Sequence, residues 1–176
     1  MAQFIAKCVT FAYQVFFLIS SRQGYATLLA TPQREQLMAT VTYQQIWNHH
    51  PFPNSPCDTT LFVNQCAIRM GVALTGAGVN MASFHGAKCW VKDHSPKHIL
   101  RAQELANWIT TQTVTFGNVS KYTKVTSADF AGKTGLVFIK DGWGATDHID
   151  VWNRTSMKAG NSSYFALGKQ VWFWQL

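Results

Sequence analysis

Acidic side chains are scarce in this sequence, with eight Asp and Glu against fifteen Lys and Arg and a formal charge of +7. That surplus of base points to anionic partners: nucleic acid, anionic lipid or an anionic cell-wall polymer. Charge of either sign is also thin, at 13%, while hydrophobic residues reach 47%, which excludes a disordered tail. The basic residues are scattered and no RNA- or DNA-binding motif is present, so nucleic acid is not an expected partner. Four cysteines (Cys8, Cys57, Cys66 and Cys89) are too few to staple a chain of this length. No long apolar run exists either. The stretch from Cys8 to Ile19 is too short to cross a bilayer, and no stable membrane insertion is expected. Internal repeats and low-complexity segments are absent.

What is present suits one domain: 176 residues can bury a sizeable core and leave little room for two. Aromatics make up 14% and include seven Trp, more than a core of this size needs, so some should line a cleft or a partner surface. The N-terminus is ambiguous. One lysine, an apolar run, then Gly24 and Ala26 in an A-x-A-like arrangement fit a cleaved signal peptide. Tyr13 and Gln14 in mid-run fit a packed helix equally well, and a misplaced start is the third reading. Residues 1–41 are therefore a lead-in, and the compact domain is expected over 42–176.

Within it, "TYQQIW" predicts a short helix capped by Thr42 and stopped by the three prolines of "HHPFPNSP". After Asn64, Ala67, Ile68, Val72 and Leu74 predict a second helix, ended by "TGAG". A third is expected over "SPKHILRAQELANWI", with Ser95 as N-cap and Pro96 at the first helical position. Beyond it the texture changes to short β-branched and aromatic runs, "GLVFIK", "HIDVWN" and "QVWFWQL", parted by "DGWGATD" and "GNSS". Helices first and a mostly antiparallel sheet afterwards make the fold class α+β.

One thiol stands out. Cys66, in "NQCAIRMGVAL", falls at the start of the second helix, where the partial positive charge of the helix end favours a thiolate. A nucleophilic thiol needs an imidazole as base and then acid. Of six histidines, only His148 opens a strand behind a Gly-rich loop suited to a cleft edge. A third group should orient that imidazole. Asp150, two residues on, shares a strand face with it. Asn161, beyond the next turn, could return beside it and is the preferred candidate. The backbone N–H of Cys66, helped by Gln65, would hold an oxyanion. Thiol on an early helix, His on a strand, then an amide or acid is the chain order of papain-like enzymes.

"NQCAIRM", "HIDVWN" and the terminal "VWFW", with "WNHHPFPNSPCD" and "FHGAKCWVKDHSPKHILRAQELANWI", resemble the amidase effectors of bacterial type VI secretion, group 4, over roughly residues 42–176. The resemblance implies a papain-related, NlpC/P60-type fold with the nucleophile helix packed on the sheet. It also implies a cysteine hydrolase that cuts the peptidoglycan stem peptide between γ-D-glutamate and meso-diaminopimelate without metal or organic cofactor. A cognate immunity protein would be its partner, and it would be secreted or delivered to the target-cell periplasm. The family's cysteine falls on Cys66 and its histidine on His148. Its third residue is usually an Asp on the segment after the histidine strand, where "RTSMKAGNSSYF" has none and Asn161 is the nearest polar substitute.

Three other readings compete. A cysteine peptidase or acyltransferase would keep the fold and act on another amide. A non-enzymatic, basic membrane-binding protein would bury Cys66 in its core. A zinc set of Cys57, Cys89, His85 and His94 lacks any C-x2–4-C pair and has weak support. Cys57 and Cys89 could instead pair in an oxidising compartment, a point the sequence does not fix.

Overall fold

The computed structural model describes residues 40–176. The readings placed on the lead-in, signal peptide or packed helix, lie outside the described residues. Helix α1 (Tyr43–His49) opens on a capping box: Thr42 accepts from the Gln45 N–H at 3.3 Å, and the Gln45 side chain accepts from the Thr42 N–H at 2.8 Å. Helix α2 (Cys66–Gly76) starts at the cysteine itself.

The third helix departs from expectation. α3 runs Ala102–Thr111, and Ser95 does not cap it. Ile99 instead pairs with Lys88 in an antiparallel bridge, and Arg101 is extended at φ −118°, ψ 121°. The apolar spacing survives the change: Ile99 is still buried, but from a loop, while Leu105, Ala106 and Ile109 supply the helix face. Periodicity marked which residues face the core and misjudged the backbone that carries them.

Four antiparallel strands follow: β1 (Ser120–Tyr122), β2 (Thr134–Trp143), β3 (Thr146–Asn153) and β4 (Gln170–Gln175), in the order β1-β4-β2-β3. The expected sheet is present, with β1 the strand that sequence reading did not single out. β2 pairs on both edges. Its Leu136 and Phe138 join the helices' core with Met70, Leu74 and Leu105, while Val137 and Ile139 join a second cluster with Phe130, Phe165 and Phe173. Both faces being covered explains why β2 reads as an unbroken apolar run. Truncating a side chain such as Phe138 to Ala there costs about 3–5 kcal/mol.

α2 and β3 meet in the first cluster, where Ala67, Met70 and Ala73 pack with Ile149 and Val151. That contact sets the first residue of α2 beside the opening of β3. It positions the site. Among the described residues, no helix is long and apolar enough to cross a membrane.

Candidate active site

Cys66 occupies the first turn of α2, where backbone N–H groups have no acceptor within the helix; the first helical bond is Arg69 N–H to Gln65 O, 2.8 Å. The thiol is half-buried, and its Sγ lies 4.0 Å from the Asp147 carbonyl oxygen. His148 follows Asp147 on β3 and lines the same cleft as Cys66, near enough for the thiol to act on its imidazole. The two residues, 82 positions apart in number, are thus brought together. A cleft of about 400 Å³ opens over them, lined among others by Val63, Asn64, Arg69, Trp143 and Tyr164.

Asp150 supports the imidazole from behind. Its Oδ2 lies 3.3 Å from His148 Nε2 and also accepts from the Ala159 N–H at 2.9 Å and the Gly160 N–H at 2.7 Å. Oδ1 accepts from the Val151 N–H at 2.8 Å. The carboxylate is wholly buried, and these bonds are what make such burial tolerable. Burial by itself would lower the His148 pKa. The hydrogen bond that the ring donates to Asp150, the neighbouring Cys66 thiol and the charges of both outweigh it and raise the imidazole to about 9.

Asn161 is not the residue that touches the imidazole. Its side chain accepts from the Ser163 N–H at 2.9 Å and caps the short 3-10 helix Ser162–Ala166, facing solvent. The segment picked from the sequence does reach the site, but through the backbone amides of Ala159 and Gly160. Gln65 is likewise redirected. Its Nε2 donates to the carbonyls of Phe62 at 2.6 Å and Cys57 at 3.3 Å, so both amide hydrogens are spent on the preceding loop and none is left for an oxyanion. The Cys66 N–H remains.

Sequence reading missed His50. It left this residue in the Pro-rich loop, yet the ring is buried beside the carboxylate, with Nε2 3.8 Å from Asp150 Oδ1. Its Nδ1 accepts from the Phe52 N–H at 3.3 Å, which places the ring hydrogen on Nε2, toward Asp150. Burial lowers its pKa to about 4 despite the pull of Asp150, so the ring is neutral at physiological pH. No spacing signal marks it. Aromatic rings hold His148 from the cleft side: Tyr164 and Trp143 meet it edge-on at 5.2 and 6.3 Å, and Trp143 is exposed. The "DGWG" tryptophan is therefore a cleft residue.

The family model described as type VI secretion system (T6SS), amidase effector protein 4, matches residues 62–174. No curated protein matches the chain. Among solved structures, the type VI effector Tae4 from Enterobacter cloacae is 20% identical, with a TM-score of 0.63 over 79% of this chain and 99% of that one. The effector–immunity complex Tae4–Tai4 from the same organism gives 22% identity and a TM-score of 0.61 over 77% and 98%. The Tae4–Tai4 complex from Salmonella Typhimurium gives 18% and 0.61 over 77% and 98%. At these identities the structures establish a shared fold; the family match covers well over half the chain, including the Cys66 helix and the His148 strand. The chain belongs to the type VI secretion system amidase effector protein 4 family.

Proposed function

We propose that Cys66 is the nucleophile of a peptidoglycan amidase, His148 its proton carrier, and Asp150 the group that orients the imidazole. The observation that supports this reading is that Cys66 and His148 line one cleft while the His148 ring lies 3.3 Å from the buried Asp150 carboxylate. Asp150 engages Nε2, so Nδ1 is the ring nitrogen left for the sulfur. The thiolate attacks the carbonyl carbon of the γ-D-glutamyl–meso-diaminopimelate bond, and the Cys66 N–H at the head of α2 receives the developing oxyanion. His148 gives its proton to the departing amine, leaving a thioester. Water, losing a proton to His148, then attacks that thioester; the acid is released and the sulfur leaves as thiolate, paired again with the imidazolium.

The remaining features suit this substrate. Arg69 lies one helical turn beyond Cys66 on the cleft wall and carries a fixed positive charge, held by the Asn54 carbonyl at 3.0 Å and Ser55 Oγ at 3.1 Å. It suits a stem peptide, which bears free carboxylates. Trp143 offers an exposed face for the apolar parts of the same peptide. The protein acts as an antibacterial toxin in the periplasm of a target cell. A cognate immunity protein is its natural inhibitor, since the relatives of known structure include effector–immunity complexes.

The test is digestion of purified sacculi followed by mass spectrometry of the released fragments. A new free amine on diaminopimelate is the expected product, and Cys66→Ala should yield none while folding normally. Product from Cys66→Ala at the unaltered rate would end the proposal. Cleavage of a different amide would keep the nucleophile and overturn the substrate.

A further inference from the structure

A second cluster of chemistry-bearing side chains lies away from the cleft, and the amidase reaction makes no use of it. Cys57, Cys89, His94 and His98 converge so that one ligand-type atom from each lies within 4.8 Å of all the others. Both thiols are buried and unpaired. Cys57 Sγ is 3.6 Å from His94 Nδ1 and 2.9 Å from His98 Nδ1, and Cys89 Sγ is 3.4 Å from His94 Nδ1. A tetrahedral zinc ion, with Zn–S near 2.3 Å and Zn–N near 2.0–2.1 Å, sets its sulfur and nitrogen ligands about 3.6 Å apart. The pairs at 3.6 and 3.4 Å match that spacing and the pair at 2.9 Å is tighter, so two sulfurs and two imidazole nitrogens form the frame of such a site, which an ion would widen slightly at Cys57 and His98.

We propose that Cys57, Cys89, His94 and His98 bind one zinc ion as a closed, structural Cys2His2 site. The zinc set read from the sequence had His85 where the structure places His98. The missing C-x2–4-C pair is no obstacle, because one loop supplies three of the four groups. That loop is closed by the Lys88–Ile99 bridge, with the Cys89 N–H bonded to His98 O at 2.8 Å and the Leu100 N–H to Ala87 O at 3.0 Å. Cys57 arrives from the segment ahead of α2.

The surroundings fit a metal thiolate. The His98 N–H donates to Cys89 Sγ at 3.2 Å, the kind of outer bond that holds a ligating sulfur in place. Phe62, Ile68, Val91 and Leu100 give the cluster an apolar shell. His94 and His98 also border a cavity of about 720 Å³ beside α2, which offers a path for the ion. With four protein ligands no coordination position is left open, so the ion braces and does not catalyse. What it braces is specific: the Cys57 carbonyl accepts from Gln65, the residue before the nucleophile. The inference stands apart from the amidase reading, since none of its four ligands lines the reactive cleft.

The test uses the full chain in its Cys66→Ala form, which removes the reactive thiol. Metal analysis after purification without added metal should find one zinc per chain. Stripping with a chelator should lower the melting temperature, and Zn2+ alone should restore it. Co2+ added to the stripped protein should saturate at one equivalent, with a sulfur-to-cobalt charge-transfer band and the intense visible bands of tetrahedral cobalt. Cys57→Ser with Cys89→Ser should lose the charge-transfer band, and His98→Cys should strengthen it. These measurements on otherwise unaltered chain decide the matter even where a variant fails to fold. A chain that retains no zinc and gives no cobalt–thiolate band overturns the proposal. So does a peptide map in which Cys57 and Cys89 are recovered as a disulfide.

Discussion

Asp150 lies two residues beyond His148 on one strand, and its Oδ2 sits 3.3 Å from that histidine's Nε2. Strand alternation places both side chains on one face, so the orienting contact is built into β3 and needs no second segment to form it. The later segment acts on the carboxylate instead, through the N–H groups of Ala159 and Gly160.

This geometry separates two variants. Asp150→Asn puts an amide where the imidazole and three backbone N–H groups all need an acceptor, and kcat should fall by roughly 10²–10⁴-fold as the imidazole loses its orientation. Asn161→Ala should cost about 1 kcal/mol of stability for the lost cap and leave turnover nearly intact. Rates of fragment release from sacculi, set beside urea unfolding, distinguish them. Equal losses of activity would return Asn161 to the site.

The rate should depend on pH through His148. In the proposed mechanism the proton that leaves with the amine is carried by the imidazolium, which the fold favours up to about pH 9. Turnover is therefore expected to fall as pH rises through that value. In Asp150→Asn the largest influence that raises the pKa is lost, and the alkaline limb of the residual activity should move to lower pH. A limb that stays in place would mean Asp150 is only a packing element.

Stability should carry the marks of two histidines shifted in opposite directions. His148 titrates higher in the fold than its ordinary 6.5, near 9, so its contribution is complete below 6.5 and lost as pH rises toward 9. His50 titrates lower, near 4, so its contribution is complete above 6.5 and lost as pH falls toward 4. From these two groups the maximum lies near pH 6.5, with each limb worth at most roughly 3 kcal/mol. Unfolding measured across that range should show the peak, and His50→Gln should flatten the acid limb alone.

The proposed nucleophile and base could be picked out because each announces itself locally. Cys66 begins an apolar helical pattern, and His148 begins a strand. The rest of the site depends on distances that no local pattern encodes. Asp150 was readable as a same-face neighbour, yet only the fold shows that Asn161 is consumed by a cap and that Gln65 faces its own loop. His50 comes within 3.8 Å of Asp150 solely because α1 ends beside β3, a tertiary fact. The α3 boundary failed for a related reason. Ser95, Pro96 and the apolar spacing all signal a helix start, but the bridge from Lys88 to Ile99 holds the backbone extended and overrides local propensity.

Gly160 offers the most stringent check on the placement of His148. A Cβ at this position would lie 2.8 Å from His148 Nε2, 2.9 Å from Met157 Sδ and 3.1 Å from Tyr164 Cε2, the first two closer than real side chains come. The imidazole is wedged between this glycine and the rings of Tyr164 and Trp143, so Gly160→Ala must push it away from Asp150 or distort the backbone that holds the carboxylate. Overpacking of this sort costs about 1–3 kcal/mol of stability. A displacement near 1 Å at a reacting group costs about 10²-fold in rate. The expected outcome is a protein that still unfolds cooperatively and binds sacculi, with kcat reduced far more than KM. A Gly160→Ala enzyme with full turnover would show that the imidazole does not work from the position it occupies against Asp150.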